Sequence, residues 1–248
     1  MKTTDFQQPM NPAAAETKEK LYNRWVGEVC AFFEEVGPEL DRCCSAMQSR
    51  PVLDKSPEVV FLGLHPHEPF GWISEKGADR ERFYKGNRSF YEDDGKERMT
   101  WRVWAKLYEA MKWADCTRPM EDGNFVFMNA VYFGTDGVAA LKAMPGSKNV
   151  IDRCLDFTER AIQTIFQPKM VVCFSTNEVF DPLHAKFKFR EVETLNPLNT
   201  PKHVCTKAVK RGWWGNCKVI GIPHPSQAIS NDDFGAIALF IKQELTSR

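Results

Sequence analysis

Four short apolar runs stand out along the chain: Val59-Val60-Phe61-Leu62, Phe125-Val126-Phe127-Met128, Met170-Val171-Val172-Cys173-Phe174 and Val219-Ile220-Gly221-Ile222. Each is rich in β-branched or aromatic residues and too short for an independent helix. None alternates apolar with polar positions, the pattern expected of strands covered on both faces. Between and after these runs the spacing changes to that of an amphipathic helix, over Trp101 to Trp113, Val150 to Phe166 and Asp233 to Leu245. An earlier helix is predicted over residues 16–36, where Leu21, Trp25, Val29, Phe32, Phe33 and Val36 share one face. Gly37-Pro38 reads as its stop, with a second short helix through Leu40 and Met47. Strands alternating with helices predict an α/β fold of three layers, α/β/α, around a central four-stranded parallel sheet.

The last helix has a recognisable start. Ser230 is the expected N-cap, Asp233 follows three residues on as in a capping box, and Asp232 and Asp233 put negative charge at the positive end of the helix dipole. No internal repeat or long low-complexity linker divides the chain, so residues 16–248 read as a single α/β domain. The polar, alanine-rich residues 1–15 read as a flexible arm, without the apolar core of a signal peptide. No apolar run approaches the length that spans a bilayer.

Composition adds little to this frame except by exclusion. Hydrophobic residues at 43% and charged residues at 27% are ordinary for a globular protein with a substantial core. The eight cysteines are scattered without a C-x-x-C pair, which argues for reduced thiols in a cytoplasmic protein over disulfides or a metal cluster. The formal net charge of zero gives no global attraction to polyanions, so nucleic-acid binding requires a local basic surface. Lys202, Lys207, Lys210, Arg211 and Lys218 supply one, in a stretch free of acids and interleaved with Trp213 and Trp214. Composition alone favours a plainer reading of the same stretch, a solvated loop with two aromatics packed back onto the domain.

Ligands of open α/β sheets bind outside the carboxyl ends of the strands. After the first run comes Gly63-Leu64-His65-Pro66-His67-Glu68, and the second ends in Asn129. Ser175-Thr176-Asn177 follows the third, and Pro223-His224-Pro225-Ser226 the fourth. Polar side chains are thus concentrated at one edge of the predicted sheet. The long irregular segment from Glu68 to Thr100 carries Phe70, Trp72, Phe83, Tyr84, Phe90 and Tyr91. It reads either as a binding loop or as a surface excursion whose aromatics fill gaps beneath it.

These motifs, in this order, resemble the uracil-DNA glycosylase superfamily. That family has a strand leading to a G-x-x-P loop, a middle strand ending in Asn, and a last strand entering an H-P-S loop before the final helix. The counterparts are Gly63 to Pro66, Phe127-Met128-Asn129 and His224-Pro225-Ser226. The resemblance implies a DNA partner carrying a damaged or deaminated base, hydrolysis of an N-glycosidic bond, a monomer, and no cofactor or metal. Glycosylases extrude the nucleotide and read its base by edge hydrogen bonds and stacking. By the resemblance, Gly63, Leu64 and Asn129 contact the base, and Asn129 offers a pyrimidine edge a donor and an acceptor together. Phe70 or Trp72 stacks on it, the spacing leaving that choice open. His224 stabilises the negative charge gained by the departing base. Pro225 and Ser226 press on the DNA backbone, with Lys202, Lys207, Lys210 and Arg211 holding phosphates.

In one respect the chain departs from the family pattern. The first loop commonly carries Asp, Asn or Glu to orient or activate water, and here that position is His65. A neutral imidazole can act as a general base, but it supplies no negative charge to steady an oxocarbenium-like sugar. Other readings therefore stay open: a catalytically inactive nucleic-acid or nucleobase-binding protein of the same fold, or a metal-dependent hydrolase using His65, His67 and His224 with Glu68. Asn129 and His224-Pro225-Ser226 also have purely local uses, in tying off loop backbone groups and forming a rigid turn. No G-x-G-x-x-G after a strand, G-x-x-x-x-G-K-[ST] or G-x-S-x-G motif points elsewhere.

Overall fold

The computed structural model describes residues 16–40, 44–66, 76–86, 102–135, 137–144, 146–197 and 204–247. Each of the four apolar runs is a strand: β1 (Val59–Gly63), β2 (Phe125–Asn129), β3 (Met170–Phe174) and β6 (Cys217–Ile222), with every residue buried. They lie in the order β2-β1-β3-β6, all parallel. The sheet does not stop there. It is mixed and six-stranded, because β5 (Val209–Trp214) pairs antiparallel with β6, and β4 (Arg190–Leu195) antiparallel with β5.

The central sheet is therefore larger than the four parallel strands expected. Lys210, Arg211 and Lys218 lie not in a loop but in the hairpin of β5 and β6, closed at Gly215-Asn216 with Gly215 at φ 61°. A left-handed conformation at this position suits glycine, which has no Cβ to clash. β4 escaped notice for a physical reason. Its sequence, REVETL, is exposed along nearly its whole length and so has no apolar pattern to read. A charged, solvated strand is what a sheet edge needs to resist pairing with other chains.

The opposite edge is protected differently. Residues 44–49, expected to be helical, form an irregular, bent segment that bridges to β2 between Met47 and Met128 and to Phe133 at Cys44. Gln48 and Ser49 N–H donate to Phe127 O (2.9 and 3.0 Å), Asn129 N–H to Ala46 O (2.9 Å), and Phe127 N–H to Ser49 Oγ (2.8 Å). Buried backbone groups on an edge strand require partners, and that demand overrides weak helical spacing.

Alternation along the strands divides the core. Val60, Leu62, Val126, Met128, Val171 and Cys173 face one layer, made by α1 (Lys18–Leu40) and α6 (Ser147–Arg160), the latter continuing as a π-helical turn over Ala161–Phe166. Phe61, Phe127, Val172, Phe174, Ile220 and Ile222 face the other, made by α3 (Arg102–Trp113) and α8 (Asn231–Thr246). Helices on both faces explain why the parallel strands are apolar at every position. The short helices α2 (Lys76–Lys85), α4 (Arg118–Glu121), α5 (Val138–Ala143) and α7 (Asp181–Phe187) complete the described elements.

Two helix ends differ from expectation. α1 runs through Gly37-Pro38 to Leu40, since a proline in the final turn removes a single N–H from a long packed helix. At α8, Ser230 Oγ caps Asp233 N–H (3.1 Å) as expected. The Asp233 carboxylate, however, is buried against Thr206, accepting from its N–H (3.0 Å) and its hydroxyl (2.8 Å). No helix among the described residues is long and apolar enough to cross a membrane.

Candidate functional site at the carboxyl edge

Strand parity puts the candidate residues on one face. Side chains repeat every second position, so Gly63 follows Phe61, Asn129 follows Phe127, and His224 follows Ile222 on the α3/α8 side. Register completes the alignment. Gly63 and Asn129 are Cα partners, and Phe174 pairs with Ile222. Phe61, Phe127 and Phe174 form an aromatic floor, Phe174 lying 5.9 Å from Phe61 and 5.4 Å from Phe127 between ring centroids. The His224 ring stands edge-on to Phe174 at 6.4 Å.

Gly63 is required by a close approach. A Cβ at this position would lie 3.1 Å from Asn129 Oδ1. Pairing continues past the strand ends, with Ala130 N–H donating to Gly63 O (2.8 Å) and Val131 N–H to Leu64 O (2.7 Å). The base of the first loop is thereby fastened to the exit of β2. Asn129 is only 3% exposed, and its Nδ2 donates to Ser45 O at 3.0 Å. One of its two N–H donors is thus engaged in fixing the edge segment, and the other N–H and Oδ1 carry its remaining hydrogen-bonding capacity.

The two histidines are held in opposite ways. His65 Nδ1 lies 2.9 Å from Pro66 O, which can only accept, so Nδ1 carries the proton. In the neutral ring this leaves the lone pair on Nε2, which lies 3.5 Å from the hydroxyl of fully buried Thr135. The single proton of that hydroxyl is directed to Gly137 O at 2.9 Å, so Thr135 does not donate to Nε2 in this tautomer. For His224 the arrangement is reversed. Ser226 N–H donates to its Nδ1 at 3.2 Å, with Ser226 Oγ 2.6 Å from the same nitrogen. Nδ1 is therefore the acceptor and Nε2 the donor. Burial lowers the His224 pKa below its ordinary 6.5, Glu178 raises it in part, and His65 lowers it further. Burial thus favours the neutral form of His224.

Between them, at the end of β3, Ser175 adopts φ 114° and ψ 122°, a backbone region that disfavours side chains. Four hydrogen bonds impose it. Its N–H donates to Ile222 O (2.9 Å), its carbonyl accepts from Val179 (3.3 Å) and Phe180 (3.1 Å), and its hydroxyl accepts from Glu178 N–H (3.1 Å). Glu178 is thereby set on a π-helical turn, Thr176–Phe180, where its charge reaches His224. Sequence reasoning passed over Phe174, Thr135 and Glu178. Phe174 was findable as the last apolar residue of its strand, whereas nothing local marks the other two.

Other expected site residues are not brought to the edge as an open surface. Lys210 Nζ contacts both Asp181 carboxylate oxygens at 2.7 Å, and Arg211 bonds Glu193 and Glu244, each at 2.7 Å. The expected run of unopposed positive charge is thus largely neutralised within the fold, because acids distant in sequence pack against the hairpin. Lys207 has no carboxylate partner among the described residues. Pro225 is buried and Ser226 exposed. Phe70, Trp72, His67, Glu68 and Lys202 lie outside the described residues.

A cavity of ≈ 190 Å³ opens on the other side of the same edge, among Leu64, Val131, Leu141, Leu155 and Val179, with Lys142 and Glu178 also lining it. It belongs to the α1/α6 layer and is separate from the histidine-bearing face. Among the described residues no group of three or more His, Cys, Asp and Glu could hold a metal ion. Fold and site together define an α/β protein with a mixed six-stranded sheet and a two-histidine polar edge. No model of a known protein family matches the chain, and no curated protein matches it.

Proposed function

We propose that the chain is a DNA glycosylase-like hydrolase that accepts a flipped, pyrimidine-type base and cleaves its N-glycosidic bond. The observation that carries this reading is the pair of complementary histidine tautomers on one sheet edge. In the proposed reaction His65 Nε2 takes a proton from water as the oxygen attacks the sugar C1′. The glycosidic electron pair leaves with the base. His224 Nε2–H donates to the base oxygen on which that negative charge settles, as a neutral donor already in position. The aromatic floor of Phe127 and Phe174 suits a planar ring, and the order of the three motifs agrees with the family resemblance. The test is incubation with oligonucleotides bearing uracil, mismatched or other deaminated bases, followed by cleavage at abasic sites. Product on at least one substrate is expected, and none on any of them defeats the reading.

A second reading, an inactive member of the same fold that binds nucleic acid or a nucleobase, is favoured by a specific observation. His65 stands at the first-loop position where the family commonly carries Asp, Asn or Glu, and its neutral ring supplies no negative charge to an oxocarbenium-like sugar. Salt-dependent DNA binding without abasic product would select it.

A further inference from the structure

The loop carrying His224 is gripped from α3. Lys106 donates from Nζ to the carbonyls of Gln227 (3.1 Å) and Ile229 (3.2 Å), and the ammonium lies 5.4 Å from the Phe234 ring centroid. Among the described residues no backbone N–H reaches either carbonyl. Gln227 is thereby pinned at both ends, since its own N–H donates to His224 O at 2.9 Å. Ser226, the next residue back, supplies the N–H that fixes Nδ1 of the imidazole. A continuous chain of hydrogen bonds thus joins a cation on one helix to the tautomer of a ring in the loop before another.

We propose that Lys106 is the positioning residue of His224: by clamping the Gln227 and Ile229 carbonyls it holds the turn that keeps Nδ1 an acceptor and Nε2 the donor. A charge-assisted hydrogen bond is stronger than a neutral one, so one ammonium serving two carbonyls makes a firm clamp on the loop. The action is geometric. The charges acting on the imidazole are those of Glu178 and His65, and Lys106 reaches it only through the loop. A hydrogen-bonded partner of this kind fixes ring orientation much as outer partners do for metal-bound histidines. The kinetic consequence of the clamp rests on the glycosylase reading, whereas its effect on the imidazole does not.

The experiment is 15N spectroscopy of the His224 ring in the whole protein without DNA, at a pH where the ring is neutral. In the wild type Nδ1 is expected at the unprotonated position and Nε2 at the protonated one. Lys106→Met keeps the stem but removes the donors, and is expected to average the two nitrogens. Lys106→Arg restores the wild-type pattern, and Lys112→Met, an exposed change on the same helix, leaves it untouched. A folded Lys106→Met protein with wild-type His224 shifts overturns the proposal. Should that variant not fold, the wild type decides by hydrogen exchange at the Ser226 and Gln227 amides. Slowing by roughly tenfold or more against the unprotected rate is expected, and exchange at that rate overturns the clamp. On the glycosylase reading Lys106→Met also lowers kcat for base release by about tenfold or more with KM little changed. A wild type that releases no base defeats that reading, while the ring spectra still judge the clamp.

Discussion

The loops after β1 and β6 both present a histidine at the carboxyl edge, yet they are built on contrary principles. His65 donates a hydrogen bond from Nδ1–H to the adjacent Pro66 carbonyl, a contact between neighbours in sequence. His224 accepts one at Nδ1 from the Ser226 N–H, within a turn braced by Lys106 from a separate helix. The first arrangement leaves a proton acceptor, the second a proton donor. One residue type thus fills two chemical roles according to which backbone group its near nitrogen meets.

The largest effects should come from removing either ring. On the glycosylase reading, His65→Ala is expected to lower base release by about 10²–10⁴-fold, the range of general-base catalysis. His224→Ala should lower it by about 10²–10³-fold, as for loss of one preorganised donor. Single-turnover rates on the best oligonucleotide decide, and less than a tenfold loss for either breaks the assignment of that ring.

Below these in size stands the base of the first loop. Gly63→Ala introduces a methyl 3.1 Å from Asn129 Oδ1, so the amide must shift and strain its bond to Ser45. A loss of about 1–3 kcal/mol in urea unfolding is expected, typical of overpacking at a tight site. Unchanged stability would mean that the Asn129 amide gives way at no cost and does not fix the root of the first loop.

A pH series separates the histidines by linkage. The folded pKa of His224 is lowered below 6.5, chiefly by burial. Between 6.5 and that lowered value the unfolded chain holds a proton here that the folded chain does not. This contribution to stability is therefore complete above pH 6.5, diminishes as pH falls through the window, and levels off beneath the folded pKa. Melting temperatures of the wild type and His224→Gln should converge in acid relative to their separation above pH 6.5, and a constant separation would refute the lowered pKa.

The smallest effect concerns charge around the second loop. If DNA binds, Lys207→Met should reduce the slope of log affinity against log salt by about 1. Lys210→Met should leave the slope nearly unchanged, because its ammonium is already matched by Asp181. Equal slopes for the two variants would return the whole basic run to the interface.

Some of this was legible from local pattern. Val59-Val60-Phe61-Leu62 and its three counterparts are apolar at every position because helices cover both faces of the sheet, so they identified themselves. Ser230 announced the start of α8, since an N-cap answers a need of the helix itself. Parity was enough to align Gly63, Asn129 and His224 on one face once the strands were known. β4 and residues 44–49 were not legible. Their conformations serve sheet edges, and an edge is defined by which strand lies beside it.

The candidate site divides along the same line. Sequence alone determined which residue types stand at the strand ends, because strand boundaries and turns are written in neighbouring residues. Tertiary structure decided what those residues can do. It engaged the Asn129 donor with Ser45, matched Lys210 and Arg211 to acids far away in the chain, and set Lys106 against the His224 loop. Protonation and hydrogen bonding depend on partners within about 3 Å, and such partners here come from elements separated by tens of residues. For His65 the partner is the next residue in the chain, yet even there the direction of the ring was set only when the loop was folded.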